Sequence, residues 1–574
     1  MKPLPPATPP APISEDIWIR KYRFGNEAGI EDTWRRVAKA VAAAEPQDQA
    51  LWAERFHELL ADYRFLPGGR ILANAGTARN ATLLNCFVMG ALDDSIEGLF
   101  HALRESAITL QAGGGIGLDF SPIRPAGAAA VRTGNIASGP VSFMHLWDAM
   151  CETMTADRAR RGAMMGVLRC DHPDIEAFID AKVEPGALAR FNLSVLVTDD
   201  LIRAVDRDDD WPLVFSGKTV RILKARMLWE RILRAAYETG EPGILFIDRI
   251  NRENNLGYAE TLHACNPCGE VPLPPYGACD LGSINLTRFI SQPFTPDAAC
   301  DFDAIAEASR LGVRFLDNVL DVSHYPLEAQ ADQTRKGRRV GLGITGLADA
   351  LIMQGLAYDS NEGREFAARV LGTMRNAAYE ASVQLAEEKG SFPLFDAGAF
   401  LGRPFTHRLP EYLRDEIRRK GIRNSHLLAI APTGSISLLG GNVSAGIEPV
   451  FAATVSRRVR RLSGDYDTIG MDDYAFRLWH EGGGEGLPPG FVTAGELSPD
   501  AHLAMQATAQ GFVDNAISKT INADADMPFE AFANVYRTAC DLGLKGCTVY
   551  RQGSRGEDVL TPVTEGAWCT SDTC

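Results

Sequence analysis

The chain has no run of about 18 apolar residues, the length a helix needs to cross a bilayer, so no membrane role is expected. Its opening residues, MKPLPPATPPAPISED, carry one lysine and no apolar segment; they read as a proline-rich lead rather than a secretory signal. Positive charge is in deficit, with 58 Lys and Arg against 74 Asp and Glu for a formal charge of −16. Direct nucleic-acid binding is therefore not expected, because neutralising phosphates takes a basic surface. The 11 cysteines form an odd set scattered over 574 residues. That is no disulfide framework, and it fits a reducing, cytoplasmic setting with a few working thiols. The phosphate-loop order GxxxxGK[ST] is missing from the glycine-containing run Gly337 to Leu351, GRRVGLGITGLADAL, so packing is the expected role there. No GxGxxG opens a helix after a first strand, so a dinucleotide fold is not indicated.

What the chain does have is concentrated between His263 and Leu286, HACNPCGEVPLPPYGACDLGSINL. Prolines at 267, 272, 274 and 275 exclude a helix, since each removes a backbone donor and restrains its predecessor. In an extended loop, residues two apart share a direction. Asn266, Cys268 and Glu270 are thus expected to face one substrate together, with a further thiol, Cys279, downstream. A thiol working on a sugar through a radical wants a carboxylate to take a proton and an amide to hold a hydroxyl. A buried loop with an inert core cysteine satisfies the spacing equally well.

The wording of the stretch distinguishes the two. NPCGE followed by PLPPYGAC and LGSINL resembles the active-site loop of ribonucleotide reductases, and in particular the adenosylcobalamin-dependent class II enzymes. The resemblance implies that Cys268 becomes a thiyl radical and takes the ribose 3′ hydrogen. Glu270 would be the base on the 3′-hydroxyl, and Asn266 would hold the sugar hydroxyls. Cys86, in the strand-like run LLNCFVMG, would pair with Cys279 to reduce the 2′ carbon and end as a disulfide. Val271 and Asp280 stand where relatives often carry other residues.

Elsewhere along the chain, Ile30 to Tyr63 has helical periodicity and is expected to form a helical region before the main fold. No regulatory ATP cone is expected ahead of it. FLPGGRILANAG (Phe65 to Gly76) opens the catalytic core by resemblance, and QAGGGIGLDFSPIRP (Gln111 to Pro125) is a glycine-rich turn into a strand. Asn85, Gly114 and Gly115 are substrate-side candidates by the same resemblance. GPVSFMHLWDAM (Gly139 to Met150) reads as a helix entered through its proline, and a basic stretch follows. By the same resemblance Asp148, Arg158, Arg160 and Arg161 would belong to an effector-specificity site, although on their own such arginines read as a solvated charge run, the usual fate of such clusters. SVLVTDD and GILFIDR, flanking the helical MLWERILRAAYE, suggest parallel α/β construction. In HLLAIAPTGSISLLGG a buried strand runs into Pro432, Thr433, Gly434, Ser435 and Ile436, small and hydroxylated residues that could cap a helix or suit an anion; APTGSIS resembles the family's phosphate-binding turn, so substrate phosphates are expected there.

KGCTVYRQGSRG contains Val549 and a single Tyr550, without the adjacent tyrosines of class I relatives, and no glycyl-radical motif is present. The tail TEGAWCTSDTC offers Cys569 and Cys574 as a dithiol that would pass electrons to the buried pair. No metal site is expected, and a DxHxxG cobalamin signature is absent, as in class II reductases.

The resemblance implies an α/β protein, a ten-stranded barrel of two parallel half-sheets around a central finger loop, a topology that periodicity alone does not show. Residues 1–64 would form the lead and N-terminal helical region, 65–556 the barrel, and 557–574 a redox tail. Its activity would be cobalamin-initiated reduction of ribonucleotides, taken as diphosphates, to 2′-deoxyribonucleotides. Its cofactor would be adenosylcobalamin. Its partners would be a ribonucleotide substrate, a nucleoside triphosphate effector, a thioredoxin-like reductant and a second copy in a homodimer. The rival readings are a class I-type catalytic subunit dependent on a radical-generating partner, and a non-catalytic nucleotide-binding homologue.

Overall fold

The computed structural model describes residues 11–128, 136–155, 163–460, 466–554 and 560–562. Among them, ten strands make one hydrogen-bonded sheet. In chain order these are β1 (Phe65–Pro67), β2 (Cys86–Val88), β3 (Gly115–Asp119), β4 (Met164–Arg169), β5 (Phe191–Val197), β6 (Gly243–Phe246), β7 (Ala278–Asn285), β8 (Val340–Thr345), β9 (Thr520–Ala523) and β10 (Gly546–Arg551). Strands β2 to β6 run parallel to one another, β7 is parallel to β8, and β9 is parallel to β10. The joints β2–β7 and β6–β10 are antiparallel. Every residue of β7 and β8 is buried, as expected of parallel strands covered on both faces.

The ring closes through residues 426–430. The backbone N–H groups of Val340 and Leu342 donate to the carbonyls of His426 and Leu427 at 3.1 and 2.8 Å. On the other side, Ile430 donates to Ala516 at 3.2 Å and Ser518 donates to Ile430 at 2.9 Å, leading into β9. One parallel half thus runs β7, β8, 426–430, β9, β10 and faces the half β2–β6 around a common axis. This is the ten-stranded barrel expected from the resemblance, with β1 added along the edge of β7.

The N-terminal helices Ile30–Ala42 and Gln49–Leu60 form where the periodicity placed them, the first burying Trp34, Val37, Ala38 and Val41 on one face. Phe56 meets Phe315 edge-to-face at 5.3 Å, and Phe65 meets the same ring at 5.4 Å, so the helical region, β1 and the helix Phe302–Val322 share one core. Buried Glu45 is held by Arg314 at 2.7 Å and by Asn318 at 2.8 Å, which satisfies a charge that burial alone would make costly. A surface hairpin, Asp210–Phe215 with Lys218–Lys224, was not anticipated. Its signal was Ser216-Gly217, which take φ of 49° and 74° in the tight turn.

Candidate active site

The finger loop is a short hairpin between Ala264–Cys265 and Pro272–Leu273 that threads the barrel interior. Its seating depends on missing side chains. A Cβ on Gly117 of β3 would lie 1.9 Å from the Cys265 carbonyl oxygen, and one on Gly115 would lie 3.1 Å from the Pro267 ring. The loop backbone therefore occupies space that any other residue on β3 would fill. Both halves of the barrel grip the tip: Asn192 Nδ2 of β5 donates to the Pro267 carbonyl at 2.8 Å, and the Ala516 N–H donates to the Glu270 carbonyl at 2.9 Å.

Asn266, Cys268 and Glu270 do converge on one cavity, but not through the extended backbone expected for them. The Gly269 N–H donates to the Asn266 carbonyl at 3.1 Å, and Gly269 takes φ of 84°, so residues 266–269 make a turn. Asn266 Oδ1 accepts from the Val271 N–H at 2.9 Å and closes it. Alternation misleads here because a glycine in the left-handed region reverses the chain. As a result Cys268 is exposed at the tip while Asn266 and Glu270 are buried.

Asn266 Nδ2 donates to Cys86 Sγ at 3.2 Å, and the Cys86 thiol donates toward Glu270 Oε1 at 3.9 Å. Glu270 Oε2 and Asn85 Oδ1 are buried without a hydrogen-bond partner among the described residues. Two such oxygens beside one cavity suit the hydroxyls of a ligand. Burial raises the Glu270 carboxyl to about 7, against the opposing pull of the Asn266 amide, which poises it as a base near neutrality. Activity requiring ionised Glu270 should then rise with pH through about 7, and Glu270→Gln should remove that ascending limb together with most of kcat; a pH profile of kcat/KM checks both.

Cys279 is the cross-strand partner of Cys86, in register on antiparallel β7 and β2. Opposed residues in such a pair have Cα atoms roughly 4.5–5.5 Å apart, within the window of a disulfide. Both thiols are free and buried, and burial pushes both well above the ordinary thiol range, Glu270 adding to this at Cys86 and Asp280 at Cys279. They stay protonated at neutral pH. Cys279 Sγ donates to the Asp280 carbonyl at 3.1 Å and sits behind Cys86 rather than on the cavity wall.

The cavity holds about 940 Å³. Asn85, Gly114 and Gly115 line one wall, and Pro432 to Ile436 line another. Gly434 stands at the N-cap of the helix Ser435–Leu439 with no side-chain cap, so neither Thr433 nor Ser435 plays the capping role the sequence also allowed. Thr433 Oγ1 instead lies 3.1 Å from Thr345 Oγ1 and accepts from the Gly446 N–H at 3.2 Å. Sequence reasoning missed Arg70, Arg79 and Asn74 on the cavity wall, and Cys151 and Met154 at the end of the helix Pro140–Thr155. The run Phe65 to Gly76 was expected to open the catalytic core; the arginine inside it was the unused signal. Asp148 Oδ1 accepts from the Arg190 N–H at 2.8 Å, tying that helix to the approach of β5. Arg158, Arg160, Arg161, Cys569 and Cys574 lie outside the described residues.

A family model for the ribonucleotide reductase barrel domain matches residues 84–550, and one for the ribonucleotide reductase all-alpha domain matches residues 10–80. The chain belongs to the ribonucleotide reductase family. The reductase is 40% identical over 551 residues to the vitamin B12-dependent ribonucleoside-diphosphate reductase of Mycobacterium tuberculosis (strain ATCC 25618 / H37Rv), a match covering 92% of this chain and 75% of the relative. It is 36% identical over 578 residues to the protein of the same name from Thermoplasma acidophilum, covering 96% and 72%. The ribonucleoside-diphosphate reductase large subunit of Vaccinia virus is 27% identical over 552 residues, covering 85% and 70%. As a ribonucleotide reductase, the enzyme is an oxidoreductase acting on a nucleotide and supplying deoxyribonucleotides.

Proposed function

We propose that this reductase converts ribonucleoside diphosphates to their 2′-deoxy forms with adenosylcobalamin as cofactor and Cys268 as the sulfur that attacks the sugar. The observation that carries this reading is the division among three thiols: Cys268 is exposed in the cavity, while Cys86 and Cys279 are buried as cross-strand neighbours. The printed names of the relatives support both the diphosphate and the vitamin B12 cofactor. The donor set fits such a cofactor, since a radical must reach a sulfur from open space, and Cys268 is the exposed one of the three. When bound, adenosylcobalamin supplies the initiating radical chemistry.

The chain's own residues carry the rest. Cys268 takes the 3′ hydrogen of the ribose and later returns it. Ionised Glu270 accepts the 3′-hydroxyl proton, and Asn266 and Asn85 hold the sugar hydroxyls. Loss of the 2′-hydroxyl as water leaves a carbon that must gain two electrons. Cys86 and Cys279 provide them, their two S–H bonds giving way to one S–S bond while one hydrogen leaves with the 2′-hydroxyl as water and the other ends on the 2′ carbon. Pro432 to Ile436, with Arg70 also lining the cavity, receive the phosphates. Thr433 and Gly434, which line the cavity, both take φ of 43° just before the helix Ser435–Leu439.

Restoring the dithiol is assigned to Cys569 and Cys574 with a thioredoxin-like reductant. Changing both to serine should stop multiple turnover with thioredoxin while sparing a single turnover; burst amplitude against steady-state rate measures this. A homodimer is supported by exposed apolar side chains on two helices packed together, Ile96 and Phe100 on Ile96–Gln111 and Leu146 on Pro140–Thr155. Asp148 on the second of these, with Arg158, Arg160 and Arg161 beyond it, is assigned to a nucleoside triphosphate effector. No helix among the described residues is long and apolar enough to cross a membrane, and a cytoplasmic enzyme is proposed.

The test is an assay with the purified chain, adenosylcobalamin, a ribonucleoside diphosphate and a dithiol. Turnover without a second protein is expected; turnover only after adding an iron-containing radical generator would replace this reading with that of a class I catalytic subunit.

A further inference from the structure

The N-terminal helical region touches a residue of the cavity wall. Tyr22 Oη lies 2.7 Å from Ser435 Oγ, joining residues more than four hundred positions apart in sequence. Tyr22 is 2% exposed, so this hydroxyl is shielded from water, whereas Ser435 lies on the cavity wall. Glycine at 69 leaves room beside the pair: a Cβ there would crowd Tyr22 Oη at 3.2 Å and come into ordinary contact with Ser435 Oγ at 3.7 Å.

The tyrosine is held in place by its surroundings. Arg36 donates through Nη2 to the carbonyl of Tyr22 at 3.3 Å and to that of Leu72 at 3.1 Å, and through Nη1 to the carbonyl of Ala75. Its Nε is fixed by Glu27 at 2.6 Å. One guanidinium thus locks the Tyr22 backbone to the helix Gly69–Asn74, whose first residues border the cavity. Behind Ser435, Ile13, Ile17 and Trp18 pack with Ile436, Leu438 and Leu439 in a small apolar cluster. Ser14 Oγ donates to the Leu438 carbonyl at 3.2 Å. The segment 11–23 therefore buttresses the helix Ser435–Leu439 from outside the barrel.

We infer that Tyr22 is a positioning residue for substrate: its hydroxyl donates to Ser435 Oγ and so directs the serine's own proton at an oxygen of the bound phosphates. A serine hydroxyl has one proton and accepts through its lone pairs. With its acceptor side occupied by Tyr22, the proton is left for an anionic oxygen, and the pair arrives preorganised rather than being ordered on binding. This inference rests on the reading of Pro432 to Ile436 as the phosphate turn. The N-terminal region then contributes to substrate affinity and not only to the fold.

The experiment is the binding of a ribonucleoside diphosphate and of the unphosphorylated nucleoside to the full chain, comparing wild type, Tyr22→Phe, Ser435→Ala and the double variant. Thermal unfolding serves as the check on folding. Loss of one hydrogen bond predicts that each single variant weakens diphosphate binding roughly 3- to 10-fold and leaves the nucleoside unaffected. The double variant should be no weaker than Ser435→Ala, because the two side chains act as one unit. In turnover, Tyr22→Phe should raise KM with little change in kcat. If Ser435→Ala weakens the diphosphate but Tyr22→Phe does not, or if the two losses add, the positioning role is wrong and the phosphate turn stands. If Ser435→Ala leaves diphosphate binding unchanged, both fall. A Tyr22→Phe chain that unfolds early and loses both ligands alike would also overturn the inference, leaving Tyr22 a purely structural residue.

Discussion

Cys268→Ser is expected to reduce deoxyribonucleotide formation below detection while the variant still binds nucleotide and unfolds at nearly the wild-type temperature. A serine O–H bond is too strong to yield a hydrogen atom to the radical that an S–H bond satisfies, so the first step on the sugar has no agent. The fold should not notice the change. Cys268 is exposed at the finger tip, and substitutions at such places usually stay within about 0.5 kcal/mol. The finger is held by backbone and side chains around the thiol, through Asn192, Asn266 and Ala516. Product assay and thermal unfolding together separate loss of chemistry from loss of structure. Measurable deoxynucleotide from this variant would remove Cys268 from the mechanism.

A single methyl group on the facing strand should be nearly as damaging. In Gly117→Ala the new Cβ would lie 1.9 Å from the Cys265 carbonyl oxygen, a backbone atom that can yield only if the whole finger moves. Overpacking of this kind costs roughly 1–3 kcal/mol of stability. Displacing reacting groups by about 1 Å costs on the order of 100-fold in rate. The variant should therefore fold, melt several degrees lower and lose at least about 100-fold in kcat, with nucleotide affinity much less affected. Unchanged kcat would mean that the finger is not the catalytic element. The contrast with Cys268→Ser is informative: one removes the reagent and keeps its place, the other keeps the reagent and moves its place.

Much of this was legible in the residues. The prolines flanking Cys268 ruled out a helix, and the apolar parts of SVLVTDD and GILFIDR appear within the buried strands Phe191–Val197 and Gly243–Phe246 because parallel sheets carry continuous hydrophobic segments. The spacing of Asn266, Cys268 and Glu270 was expected to turn all three one way, and they do line one cavity, yet the geometric reason is different. Alternation along an extended chain would have left all three side chains alike, whereas the turn at Gly269 exposes the thiol and buries its neighbours. Ring closure through 426–430 could not be read locally, since it depends on single backbone bridges between segments far apart in sequence. Tyr22 was invisible for the same reason: its partner Ser435 is brought to it by the fold, and no pattern around residue 22 marks it. Arg70 was different, lying inside a run already marked, and basic residues within glycine-rich segments were the clue available.

The central claim is that the Cys268 sulfur removes the hydrogen from the ribose 3′ carbon. Its most direct test is the single-turnover rate of the wild-type chain, with adenosylcobalamin and a dithiol, on a ribonucleoside diphosphate carrying deuterium at the 3′ position. Slower reduction than with the unlabelled substrate, and no slowing when deuterium is placed at the 2′ position instead, is expected. Equal rates with 3′-deuterated and unlabelled substrate, under conditions where the chemical step limits the turnover, would contradict it.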